Sequence, residues 1–295
     1  MIRTTHPAPD RGIILVNVLV ALALGAALVV VMLTSQDNLI DRARRMAAMA
    51  QAQALAMGGE TSVLTALRAD MLTAPEADHF GESWAVIQQA AVEIGTGRFS
   101  LTIRDAQAGF DLNGLSAGGV AQTQILERLV QALDLPPETT LRIVTAVTRA
   151  GPFHAISEIT DLDPATRRTL APYVSFLPAG GAVNLNSADP VLIGVLLRNR
   201  AAALRLAALR DKNGFVTPAD LRDLGLLNAG GAGFKSAVFD VTVTAEVDDV
   251  TVTLTSRIQR VQGLGTSDVR IIARHFGPVD DFGEMPAVPE GIGGL

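Results

Sequence analysis

The chain has 295 residues and a formal net charge of −6, long enough for two or more domains and the wrong sign for a general nucleic-acid binder, whose affinity rests on phosphate attraction. It has no Cys, which excludes thiolate metal sites, thiol catalysis and disulfides. Its His residues, His6, His79, His154 and His275, lie far apart in the chain, and none falls in a zinc-protease or serine-hydrolase motif. "GGAGF" from Gly230 lacks the Lys-Ser/Thr of a phosphate loop, and "RDKNGF" from Arg210 fails as an EF-hand because the first loop position would be Leu209. No enzyme reading is supported.

In chain order, a polar leader, residues 1–12, ends at Arg11-Gly12 directly against a run from Ile13 to Leu33 that has no charge and one frankly polar side chain, Asn17. Spanning hydrocarbon takes about 20 apolar residues, so this run is of spanning length and too long for a signal-peptide centre. Beyond it the chain continues in good helix formers to Gly58-Gly59, where the helix is expected to stop. The expectation is one helix over 13–57, of about 45 residues or about 68 Å. Its outer half carries Leu39, Ala43, Met46 and Ala50 at helical spacing, a face for a partner helix. Arginines flank the run on both sides, so charge alone does not orient it.

After the only Trp, Trp84, the alternation in "RFSLTIRD" from Arg98 predicts a strand, followed by a Gly turn and "FDLNGL". From Gln122 to Gly151 the period is helical, with a break at Pro136-Pro137. Two decapeptides, "FHAISEITDL" from Phe153 and "FVTPADLRDL" from Phe215, match in register. They read as one small helical unit used twice, with Phe and the aliphatics in the core and the acids facing water. Between them "VNLNSADP" joins a strand to a helix. Asn184, Asn186 and Ser187 are expected to bond local backbone and cap that helix rather than hold a ligand. Arg198, Arg200, Arg205 and Arg210 read as a solvated helix face. From Ala237 the period becomes two, predicting antiparallel strands with a turn at Asp248-Asp249. The Pro- and Gly-rich tail, 277–295, is expected to be disordered.

A short charged leader ending in Gly, then an apolar half-helix, then an amphipathic half-helix resemble the type IV pilin and pseudopilin class. The resemblance implies that a prepilin peptidase cuts between Gly12 and Ile13, methylates the new amine and leaves the anchor in place. Most members have Phe first and Glu fifth in the mature chain; here those residues are Ile13 and Asn17. A tip subunit, with no neighbour's amine to neutralise, needs no carboxylate there, and a tolerated polar residue explains Asn17 equally well. Asp105, Gly109, Phe110, Leu112 and Asn113, with Asn184, Asn186, Ser187 and Ala188, resemble the two hallmarks of the type II secretion protein K family.

That resemblance implies an α+β fold: a pilin-like long N-terminal helix packed on a small antiparallel sheet, with a large inserted all-α domain of SAM-like or helix-hairpin-helix-like type. The expected divisions are 58–113 and 237–276 for the pilin-like body and 114–236 for the insert. It further implies a single-pass inner-membrane protein with a periplasmic body. As a minor pseudopilin at the pseudopilus tip, it would start or cap the filament. The implied partners are other minor pseudopilins, the prepilin peptidase, the inner-membrane secretion platform and membrane lipid, with no nucleic acid. Some members bind calcium, but no residue set here is assignable to it, and no cofactor is expected. The alternative is a membrane-anchored helix-hairpin-helix protein for DNA uptake. It is weakened because only Gly194 precedes Gly214 where a phosphate-binding hairpin needs two glycines.

Overall fold

A computed structural model describes residues 11–73, 76–95, 97–226, 230–263 and 266–277. The expectations for the body of the leader, residues 1–10, and for the tail from 278 onward lie outside the described residues. The first element, α1 (Arg11–Thr73), is a single helix of 63 residues. The expected stop at Gly58-Gly59 is therefore corrected. The helix runs through both glycines to Thr73. Gly59 has a packing role: a Cβ there would stand 2.7 Å from the Phe99 ring and 3.0 Å from Val243.

A short helix α2 (Ser83–Val86) leads into a hairpin of β1 (Gln89–Ile94) and β2 (Gly97–Asp105). The expected strand is β2; β1, all of whose residues are exposed, was not foreseen. The inserted block follows. It contains β3 (Phe110–Asp111), α3 (Val120–Ala132), α4 (Glu138–Ala150), α5 (Pro164–Leu170), β4 (Val174–Ser175) and β5 (Val183–Asn184), then α6 (Pro190–Leu197), α7 (Arg200–Asn213), α8 (Pro218–Asp223) and β6 (Ala232–Gly233). The chain then returns as β7 (Val238–Val247), β8 (Val250–Gly263) and β9 (Thr266–Phe276), with the turn at Asp248-Asp249 as expected.

The main sheet has the order β1-β2-β7-β8-β9, antiparallel throughout. The insertion thus leaves from β2 and re-enters at its neighbour β7, which pairs with it from Gly97↔Val247 to Asp105↔Phe239. Alternate residues Phe99, Leu101 and Ile103 of β2, and Val241, Val243 and Ala245 of β7, are buried against a stripe of α1 made by Ala48, Ala52, Ala56, Val63 and Leu67. Small residues along that stripe let the helix lie close to the sheet. Within the contact Glu60 is buried and bonded to Ser256 and Arg274 from two strands.

The block has its own core, centred on Leu126, Leu129, Ile143, Leu170, Leu185, Leu192 and Ala203. Phe110 and Leu112 belong to it, and β3 pairs in parallel with β4, so the block starts just after Asp105 rather than at 114. The two matched decapeptides also differ. Ile156–Glu158 forms one 3-10 turn, whereas Pro218–Asp223 is α-helical. Ile159 and Leu221 are buried as expected, but Glu158 and Asp220 accept bonds from the backbone N–H groups of His154 and Thr217. Phe215 is 37% exposed and lies outside the block's core.

Candidate functional site

Among the described residues the apolar half of α1 meets nothing: Ile14 to Leu33 are exposed throughout. Among the described residues α1 is the one helix long and apolar enough to cross a membrane. Gly12 and Ile13 fall in its first two turns, and Asn17 is exposed. Farther along, Leu39 and Met46 are 60% and 73% exposed, and Ala43 and Ala50 are exposed with them. At about 100° per residue, these four lie on the side of α1 opposite Ala48, which faces the sheet. The body covers one stripe of the outer half-helix and leaves the predicted partner stripe open.

The four motif residues form three ties in the body and block. Asn184 Nδ2 lies within hydrogen-bond distance of Asp105 Oδ2 (2.9 Å), the Asp78 carbonyl (3.0 Å), Ser236 Oγ (3.0 Å) and Ser187 Oγ (3.3 Å). Asp105, at the end of β2, also accepts from Gln107 N and Ser236 Oγ. Complete burial pushes its carboxyl up from the usual range, and the hydrogen bonds from Ser187, Ser236, Gln107 and Asn184 pull it back. Asn186 bonds both backbone groups of Val216, giving 3.0 Å to the carbonyl and accepting 2.8 Å from the N–H. Asn113 does the same for Phe153. Except for two local bonds, Asn186 N to Asn184 Oδ1 and Asn184 Nδ2 to Ser187 Oγ, these amides tie distant segments. The expected capping is corrected: the residue that caps α6 is Asp189, accepting from Val191 N at 2.7 Å.

A further cluster sits where α1, the sheet and the block meet. Arg260 of β8 donates to Asp70 Oδ2 at 2.7 Å and to Asp78 Oδ1, and its guanidinium lies 4.7 Å over the Phe239 ring. Glu82 Oε2 accepts from Trp84 Nε1 at 2.8 Å and from His79 N at 3.0 Å. The His79 ring stacks on Phe215 from the block, centroids 4.4 Å apart. Ligand oxygens of Asp70, Asp78 and Glu82 lie within 4.8 Å of one another. The residues do not fit the calcium that the family resemblance implies, because the Arg260 guanidinium already bridges two of the three carboxylates. Burial pushes the Asp70 carboxyl up, with Arg260 opposing it. Burial also pushes Glu82 up to about 7 and holds His79 below the usual imidazole value.

No family model matches the chain. The type II secretion system protein K of Pseudomonas aeruginosa is 26% identical over 313 aligned positions, 91% of this chain and 93% of that protein. The protein of the same name from Klebsiella pneumoniae is 30% identical over 145 residues, 47% of this chain, so the match spans less than half, 44%, of that relative. The chain is thus similar to type II secretion system protein K from two species. A likeness in fold agrees. The crystal structure of the GspK-GspI-GspJ complex from the enterotoxigenic Escherichia coli type 2 secretion system contains a chain matching with TM-score 0.61 and 21% identity, over 81% of this chain and 100% of that one.

Within this fold the arginines of the block are not one solvated face. Arg210 reaches back from α7 to the carbonyls of Leu185 (3.1 Å) and Ala188 (2.8 Å), closing the loop that carries Asn184 and Asn186, and burial lowers its proton affinity. Arg198 is the left-handed C-cap of α6. The cluster of Asp70, Asp78, Glu82 and Arg260 was missed in the sequence. Its acids come from a helix end and a loop and its arginine from a strand almost two hundred residues later, so no local spacing betrays it. The only signal was the single Trp, whose buried N–H needs an acceptor close by.

Proposed function

We propose that this chain is a minor pseudopilin of a type II secretion system, held in the inner membrane by Ile13–Leu33 and carrying its body in the periplasm. The observation that carries this reading is the division of α1: one half exposed and apolar, the other packed on a sheet along one stripe and open along the opposite one. That is what a subunit needs to leave a bilayer and join a helical bundle without refolding. The similarity to type II secretion system protein K and the fold shared with a chain from a GspK-GspI-GspJ complex support it.

In this reading a prepilin peptidase removes the leader after Gly12 and methylates Ile13. Leu39, Ala43, Met46 and Ala50 meet the helices of other minor pseudopilins, and the complex engages the inner-membrane platform. Asn17 at the fifth mature position fits a place at the tip, where the subunit starts or caps the filament with its block as the crown. The role is structural, with assembly in place of catalysis. Mass spectrometry of the membrane form, made with prepilin peptidase present, tests the reading. It is expected to show a mature chain starting at methylated Ile13, and a Gly12→Val variant is expected to keep its leader. Intact Met1 in the wild-type membrane form refutes it.

A further inference from the structure

The segment 76–82 is a clasp between the body and the inserted block. Asp78 N donates to the Phe234 carbonyl at 2.7 Å, Ser236 N donates to Asp78 Oδ2 at 2.6 Å, and Asn184 reaches the Asp78 carbonyl. His79 stacks on Phe215 of the block. On the body side Arg260 holds Asp78 and Asp70, and Trp84, packed on Phe239, holds Glu82. The clasp gathers three buried carboxylates, Asp70 of α1 with Asp78 and Glu82, around one arginine. Two are bridged by Arg260. The third, Glu82, is 7% exposed, and its Oε1 is buried with no hydrogen-bond partner among the described residues, Nε2 of His79 standing 3.9 Å off. A buried ionised oxygen without a donor is strongly disfavoured, and a second negative charge beyond the arginine's capacity adds repulsion from Asp70 and Asp78.

We propose that Glu82 is a proton-binding site that operates this clasp: with Oε1 protonated, segment 76–82 holds the block to the sheet, and loss of that proton to water loosens the hold. The charged and titratable groups facing it are Asp70 from α1, Asp78 and His79 from its own segment and Arg260 from β8; the block contributes the Phe215 ring through His79. The raised proton affinity of Glu82 agrees with the geometry. The sign follows: an acid whose folded value stands above its ordinary one stabilises the fold at low pH, and that contribution falls away as pH rises from the ordinary carboxylate range to about 7.

The lone Trp reports on this site directly, since its N–H donates to Glu82. The full chain in detergent micelles is titrated from about pH 5 to about pH 9 by fluorescence, with and without a chelator, alongside Glu82→Gln and His79→Phe. The wild type is expected to show a one-proton transition near pH 7 that is independent of chelator. Glu82→Gln is expected to stay at the low-pH signal throughout, and His79→Phe, which keeps an aromatic ring against Phe215, to retain the transition. Hydrogen exchange at Ser236 N–H, corrected for intrinsic pH dependence, is expected to rise about tenfold across the transition in the wild type and to stay flat in Glu82→Gln. A flat wild-type titration, a transition surviving in Glu82→Gln, its loss in His79→Phe, a midpoint that moves with chelator, or exchange that does not follow the fluorescence would each overturn the proposal.

Discussion

Gly58 and Gly59 are adjacent in the middle of one helix, and Ala substitutions at the two are expected to act in opposite directions. In a helix interior Gly is about 1 kcal/mol less favourable than Ala, so each replacement gains about that much from the backbone. At Gly58 none of the described residues lies within 4 Å of the new methyl, and the gain is kept. At Gly59 the methyl would stand 2.7 Å from two atoms of the Phe99 ring and 3.0 Å from Val243. Both neighbours are buried in the sheet core, so neither can swing into solvent; α1 must lift or the ring must leave its rotamer. Overpacking of that kind costs about 1–3 kcal/mol.

The two variants should therefore differ by about 2 kcal/mol, or about 4–8 °C in Tm at roughly 2–4 °C per kcal/mol for a chain of this size. Thermal unfolding of the full chain in detergent, followed by Trp84 emission and near-UV circular dichroism, reads the difference. Gly58→Ala is expected above the wild type and Gly59→Ala below Gly58→Ala by that margin. Equal midpoints would refute the argument that Gly59 exists for close approach, and would return the pair to the role of a weakened helix stop.

Ala43→Glu or Ala50→Glu is expected to leave folding intact, because both positions are exposed, yet to abolish co-purification with the other minor pseudopilins by burying an unpaired charge worth several kcal/mol; Asn17→Ala is expected to leave secretion nearly unchanged, and the reverse pattern in a secretion assay would contradict a place at the tip. Asn186→Ala strands the N–H and carbonyl of Val216 in the block core and is expected to cost about 2–4 kcal/mol in denaturant unfolding, against about 1 kcal/mol for removing the Asn199 cap of α7. The body and block should not shift duplex DNA at physiological salt, since Arg210 is turned onto backbone carbonyls and the chain is acidic; a salt-dependent micromolar shift in an anisotropy titration would promote the DNA-uptake reading.

By itself the sequence determined the features that local chemistry dictates. A run without charge from Ile13 to Leu33 must find an apolar surrounding, the alternation in β2 and β7 to β9 fits only a half-buried sheet, and Pro136-Pro137 separates α3 from α4 whatever packs around them. The Asn motifs were visible as letters, but their work was not. Asn184, Asn186 and Asn113 act on Asp105, Val216 and Phe153, groups brought near by folding. The same holds for the end of α1, since Gly59 reads as a breaker until Phe99 is placed against it. Arg210 reads as solvated until the carbonyls of Leu185 and Ala188 close over it. Only the tertiary structure decided these points, and with them the clasp at Glu82. A side chain's hydration, and so its charge and its cost, depends on which distant segments exclude water from it, and no window of sequence contains that information.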